Sequence, residues 1–291
     1  MNKLAVILGA CAACSSMFAL AHEGIESQIV QQDLNNQNTA AKKLEISGTV
    51  SAVSAYVSRG GTNSPENDDA AIQGSLTANY NGFYGTYWVS KLGYSFAEDQ
   101  AKAAINNNKQ LSEAQKAEAL SKVNIASPNY YEHDFIVGYT NKYNDLNYDL
   151  QLATYVYPGS DNTTGVEAGV FLSHPLSKTL GNSASLSVQS YVNNTVFMNR
   201  GDTYVELGYE HPLPQGFKAN LSTAVSWYQD SGKYNVKTTE DFVLRHATVQ
   251  LSHDLFNNPK ATGWLKYVVG GENREGISQK NMVVAGMRYA F

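Results

Sequence analysis

Few residues of this 291-residue chain have the types and spacing that chemistry needs, and the histidines with their acidic neighbours come first. Glu132-His133-Asp134 sets three candidate metal ligands in a row. On a strand, however, alternation sends His133 to the face opposite Glu132 and Asp134, so the three cannot close on one ion. His174 and His211 each begin the string His-Pro-Leu at a turn, where an imidazole is ordinarily solvated. No His-x-Ser-Asn or Gly-x-Ser-x-Gly string occurs to set a nucleophile beside a base, so the lipase or protease chemistry that some barrels carry is not expected. Glu66, Asp68 and Asp69 could hold a hard cation, but a short acidic loop usually stays solvated. The expectation is therefore no catalysis, no metal and no cofactor.

The remaining charges make sense only once strands position them. From Leu44 onward, segments rich in β-branched and aromatic residues alternate with turn formers, over 44–59, 70–81, 83–95, 131–141, 146–157, 164–174, 184–194, 202–211, 217–228, 242–254, 261–270 and 281–291. Twelve is an even number, as a single-chain bacterial barrel requires. Short connections such as Asn81-Gly82 and 142–145 alternate with longer ones such as 60–69, 96–130 and 229–241. A soluble sandwich has no reason to keep that rule, whereas a barrel with short periplasmic turns and longer outer loops does.

Period-two reading then sorts the faces. Ile72, Leu76 and Tyr80 oppose Gln73, Ser75 and Thr77; Phe135, Val137 and Tyr139 oppose Glu132, Asp134 and Thr140; Leu221, Val225 and Trp227 oppose Lys218, Asn220 and Ser226. On the inward face, Glu132, Asp134, Asp149, Glu167, Glu206 and Glu210 come from segments four to eight. Arg59, Lys218, Lys266 and Arg288 come from segments one, nine, eleven and twelve. In a closed ring these are opposite walls, and the proposed pore lining would carry a transverse field across a watery lumen. The competing reading is that the charges pair across a narrow barrel and plug it. Arg245, His246 and His253 cannot all be inward on one regular strand, so the register of segment ten stays open, as does that of segment three.

Both termini support export. Met1–Ala21 has one charge, Lys3, then apolar and small residues ending Ala19-Leu20-Ala21, which reads as a cleaved signal peptide. A lipid anchor at Cys11 is the alternative. Both cysteines, Cys11 and Cys14, lie in this stretch, and its removal takes the formal charge from -5 to -6, with nothing to suggest nucleic acid. Residues 22–43 are polar and Gln/Asn-rich and read as a flexible periplasmic leader, leaving 44–291 as the barrel. No stretch approaches the roughly 20 apolar residues of a membrane helix, so any spanning must be by strands. At the far end Val283, Ala285, Met287, Tyr289 and Phe291 share one face, with Arg288 on the other. Met287, Tyr289 and Phe291 are expected to form the C-terminal signal read by the barrel-assembly machinery, with lipid and lipopolysaccharide as surroundings. In the longest loop, Ser112 and Gln115 form a capping box ahead of Ala117, Leu120 and Val123, which predicts a short surface helix.

The stretch Ile46 to Leu76 contains Tyr56-x-x-Arg59-Gly60, an acidic loop and Gln73-Gly74. With Tyr130 to Ser160 and Gly201 to Phe217, it resembles the TorF family of putative porins. The resemblance implies an outer-membrane, porin-like barrel passing small hydrophilic solutes passively, with no defined substrate. The chain departs from that pattern at Ala55, where the family commonly has Asp, and in 96–130, which looks like an insertion. Taken together, the expected fold is an all-β transmembrane antiparallel up-and-down barrel of about twelve strands with a helix in one long outer loop. An adhesion or assembly role with a closed lumen is the alternative function.

Overall fold

The computed structural model describes residues 43–291. The segments expected to be signal and leader, except Lys43, lie outside the described residues. The rest forms twelve strands: β1 (Leu44–Val53), β2 (Ala71–Tyr80), β3 (Phe83–Lys91), β4 (Tyr131–Tyr143), β5 (Leu146–Val156), β6 (Gly165–Ser177), β7 (Asn182–Tyr191), β8 (Thr203–Pro212), β9 (Phe217–Trp227), β10 (Phe242–Asp254), β11 (Ala261–Gly270) and β12 (Met282–Ala290). Each pairs antiparallel with its sequence neighbour and β12 pairs with β1, so the sheet closes as an up-and-down barrel with no free edge. The connections alternate as expected. One end holds tight turns and both ends of the sheet's chain; the other holds the long loops.

Alternation positions the side chains. Ile72, Leu76, Phe135, Val137, Leu221 and Trp227 point outward and are each about half exposed, while Gln73, Thr77, Glu132, Asp134 and Ser226 between them are buried. The outside is thus an apolar belt and the inside polar. Closure at the seam depends on the last residue. Phe291 exchanges both backbone hydrogen bonds with Gly48 on β1, each at 3.0 Å. Its ring lies over that glycine, where an added Cβ would stand 2.6 Å from the ring. A glycine in a strand packs nothing of its own, and here the neighbouring strand's aromatic supplies the missing contact.

The structure corrects the ends of two strands, adds a helix and settles a register that alternation left open. β1 stops at Val53 rather than Arg59, because Ser54 to Gly61 leaves the sheet and turns back, with Arg59 at φ 46 and Gly60 at φ 69. Arg59 therefore belongs to a loop and not to a strand. β3 stops at Lys91 rather than residue 95, and a helix that sequence periodicity did not single out follows: α1 (Phe96–Asn107). The expected helix is present as α2 (Glu113–Ser121) with its Ser112–Gln115 capping box, but it buries no residue. In β10 the register slips between Leu244 and His246. Arg245 is the extra residue of that bulge, so Arg245 and His246 both turn inward, 1% and 0% exposed, while His253 stays at the turn end beside Phe217.

Candidate functional site

The lumen has two unlike halves. Toward the loop end it is filled. Trp88, Tyr155, Tyr157, Tyr191 and Phe197 form a buried cluster there, and Phe96 from α1 closes over it, 4.6 Å from the Tyr157 ring and 5.3 Å from Phe197. Gln100 of α1 exchanges two hydrogen bonds of 2.9 Å with the backbone of Asp161, and the Tyr130 hydroxyl donates to Glu98. Those bonds fix α1 over the mouth. The hydrogen bonds from Lys102 and Tyr130 also hold the Glu98 carboxyl below its ordinary range.

The segment from Ser54 to Ser64 dives into this half and touches most of the ring. Ala55 and Val57 pack against Val268 of β11 and Val284 of β12. Tyr56 lies 6.0 Å from the Trp88 ring of β3 and donates to Glu132 of β4 at 3.2 Å. Arg59 crosses to β6, donating to Glu167 at 2.6 Å, and its guanidinium stands 4.9 Å over the Tyr204 ring of β8. Gly60 lies against His246 of β10 so closely that a Cβ would come within 2.5 Å of that side chain. Both the φ of 69° and this contact require glycine. Arg245 then donates to the Arg59 carbonyl at 3.0 Å and to the Glu272 carbonyl at 2.6 Å.

Toward the turn end lies an open cavity of about 630 Å³. Its walls carry Glu206 and Glu210 from β8, Lys218 from β9, Lys266 from β11 and Arg288 from β12, with hydroxyl and amide side chains such as Ser222, Thr248 and Gln250 between them. Glu206 marks its inner limit: the Tyr204 hydroxyl bonds both Glu206 and His246 at 2.8 Å, directly beneath the Gly60 backbone.

The ten charged residues expected along the pore are thereby divided. Glu206, Glu210, Lys218, Lys266 and Arg288 line the cavity. Glu132, Asp134, Asp149, Glu167 and Arg59 are 0–3% exposed. Of these, Glu132 accepts from Tyr56 and Tyr157, Asp149 from Tyr84 at 2.9 Å, and Glu167 from Tyr155 and Arg59, both at 2.6 Å. In the filled half, then, Arg59 pairs directly with an acid of the far wall. In the cavity the walls are also less pure than expected, since Lys142 of β4 and Asp254 of β10 line it too. Met287, Tyr289 and Phe291 face outward, each about half exposed, and Arg288 faces inward.

Three features of the loop end were not placed from the sequence. Arg245 and His246 carried a signal, because two adjacent polar residues that both belong inside demand a bulge. α1 carried one in Ser95 followed by Glu98 and Asp99 and an alanine-rich run. Arg274 had none: it sits in the loop before β12, yet it is 1% exposed, pairs with Asp202 at 2.8 Å, reaches the carbonyls of Phe197 and Gln229, and stands 4.9 Å over Tyr228.

Among the described residues no group of three His, Cys, Asp or Glu side chains is placed to hold a metal, and no helix is long and apolar enough to cross a membrane. Comparison with solved structures finds a barrel of similar fold. A structure titled KdgM porin superposes with a TM-score of 0.50 at 8% identity, covering 84% of this chain and 99% of that one. A NanC porin structure gives 0.47 at 12%, covering 84% and 99%. The COG4313 outer membrane channel from Pseudomonas putida F1 gives 0.43 at 8%, covering 88% and 97%. Comparison with curated proteins finds no match. The model of a family described as "Bacterial protein of unknown function (Gcw_chp)" matches residues 37–251, and the chain belongs to that family.

Proposed function

We propose that the protein is a porin-like channel of the bacterial outer membrane, through which small hydrophilic solutes or ions diffuse passively. One observation carries the reading: a closed barrel that is apolar outside encloses a polar, charged cavity of about 630 Å³. An apolar belt around a whole molecule calls for hydrocarbon rather than water, and the strands of 9–13 residues match the roughly 9–11 that a tilted strand needs to cross a bilayer. The resemblance to TorF-family putative porins and the export-type N-terminus point the same way. On this reading Met1–Ala21 is removed on export, lipid and lipopolysaccharide surround the belt, and the barrel-assembly machinery reads Met287, Tyr289 and Phe291.

The cavity lining sets the character of the channel. Lys218, Lys266 and Arg288 come from strands on one side and Glu206 and Glu210 from β8, so a solute in the cavity meets a field between unlike charges. The function proposed is passage rather than catalysis. The filled loop-end half favours the second reading, a closed-lumen barrel whose outer loops do the work in adhesion. Single-channel recording of refolded protein in planar bilayers separates the two: discrete conductance steps support the channel, and a silent bilayer with correctly folded protein supports the closed barrel.

A further inference from the structure

We propose that the segment Ser54 to Ser64 is a gate across the lumen, latched by Arg59 on Glu167, and that it opens by release of that pair. The proposal rests on the channel reading for its consequence, but its geometry stands separately. A loop that ended at the rim would be solvated; this one has Tyr56, Val57, Ser58, Arg59 and Thr62 at 0–5% exposed and contacts on β3, β4, β6, β8, β10, β11 and β12. It thus fills the cross-section between the cavity, whose inner limit is Glu206, and the loop end.

Two kinds of attachment hold it. At its base, side chains and backbone tie it to the rim: Ser54 bonds Ala285 through both its backbone and its hydroxyl, Thr62 donates to the Lys280 carbonyl, and Asn63 exchanges bonds with Ser278, Gln279 and Lys280. These lie at the two ends of the segment and act as its hinges. At its tip one charged side chain spans the lumen, and the acceptor Glu167 Oε2 is shared by Arg59 and Tyr155. Arg245 holds the tip from behind through the Arg59 carbonyl. The charged and titratable groups around the latch are Glu167 on β6, Tyr155 on β5, Tyr191 on β7, Tyr204 and Glu206 on β8, and Arg245 and His246 on β10. Neutralising one partner of a pair removed from water on both sides leaves the other as an uncompensated buried charge. The Arg59-Gly60 turn, left-handed at both residues, is then held by the Arg245 bond to the Arg59 carbonyl without the ion pair across the lumen.

The test is thiol labelling combined with conductance. A Ser58→Cys reporter is placed in the chain lacking the signal sequence, which holds no other cysteine. Ser58 is 0% exposed, so the parent is expected to react slowly with a charged maleimide. Glu167→Gln in that background, with retained heat-shifted migration as the check of a closed barrel, is expected to speed labelling at least tenfold and to raise the open fraction of the channel. Arg59→Met provides a second variant should Glu167→Gln fold poorly. Faster labelling without conductance in any variant supports the moving segment and overturns the channel reading. Labelling unchanged in both variants overturns the gate, whatever the conductance.

Discussion

At the scale of single residues, the loop end is organised by three buried arginines: Arg59 on the Glu167 carboxylate, Arg245 on the carbonyls of Arg59 and Glu272, and Arg274 on acceptors of both kinds. Arg274 joins three connections at once through Asp202, Phe197, Gln229 and Thr238. Replacing Arg274 with Ala leaves Asp202 buried without its cation, and the expected cost is about 3–5 kcal/mol, read by denaturant unfolding in detergent. Arg274→Lys is expected to recover little, since a single ammonium cannot span partners on both sides of a planar fork. Phe291 is the other residue with an outsized role. It completes the β12–β1 seam over Gly48, so its deletion is expected to lower the yield of heat-shifted, closed barrel several-fold in a refolding assay, in line with losing a cross-strand aromatic contact of about 0.2–1 kcal/mol and two backbone bonds.

At the scale of elements, the strands were legible because one face of each is apolar and the other polar, and a register shift by one would invert both. All twelve overlap the expected segments, with ends differing by up to six residues, although alternation left the registers of segments three and ten open. What alternation could not read is where a strand leaves the sheet. Tyr56 to Arg59 continues the pattern of β1 well enough to pass for it, yet its side chains are buried because the chain folds inward, a matter of long-range contacts on β6, β8 and β10. In the same way, parity correctly faces Glu132 and Glu167 inward but cannot distinguish a water-lined interior from a packed one. The capping box located α2, whereas α1, the helix that reaches the mouth, announced itself only by composition. Replacing α2 with a Gly-Ser linker of equal length is therefore expected to leave barrel stability unchanged, as it buries nothing. Phe96→Ala in α1 removes a buried ring from the aromatic cluster, with an expected loss of about 3–5 kcal/mol by thermal unfolding.

At the scale of the whole molecule, the claim that the outer belt faces hydrocarbon has its own test. Leu221 lies outward midway along β9, next to the inward Ser222. Leu221→Arg is expected to destabilise the barrel by about 2–4 kcal/mol in lipid bilayers, whereas Ser222→Arg, into the open cavity, is expected to cost far less. Equal costs on both faces, measured by urea unfolding in vesicles, would argue against a membrane around the belt. The division of the lumen also moves the expected selectivity filter. Glu132, Asp134 and Glu167 are enclosed, so on the channel reading passage is biased by the charged residues of the cavity wall, Lys142 and Asp254 included.

The measurement that bears most directly on the channel reading is single-channel recording of the refolded protein in planar bilayers, repeated after Lys218, Lys266 and Arg288 are changed together to Ala. The account predicts small, discrete conductance steps whose reversal potential in a salt gradient moves toward cation preference in the triple variant, because Glu206 and Glu210 are then left to dominate the cavity. No steps at any voltage from protein that migrates as a closed barrel, or steps with unaltered selectivity in the triple variant, would contradict it.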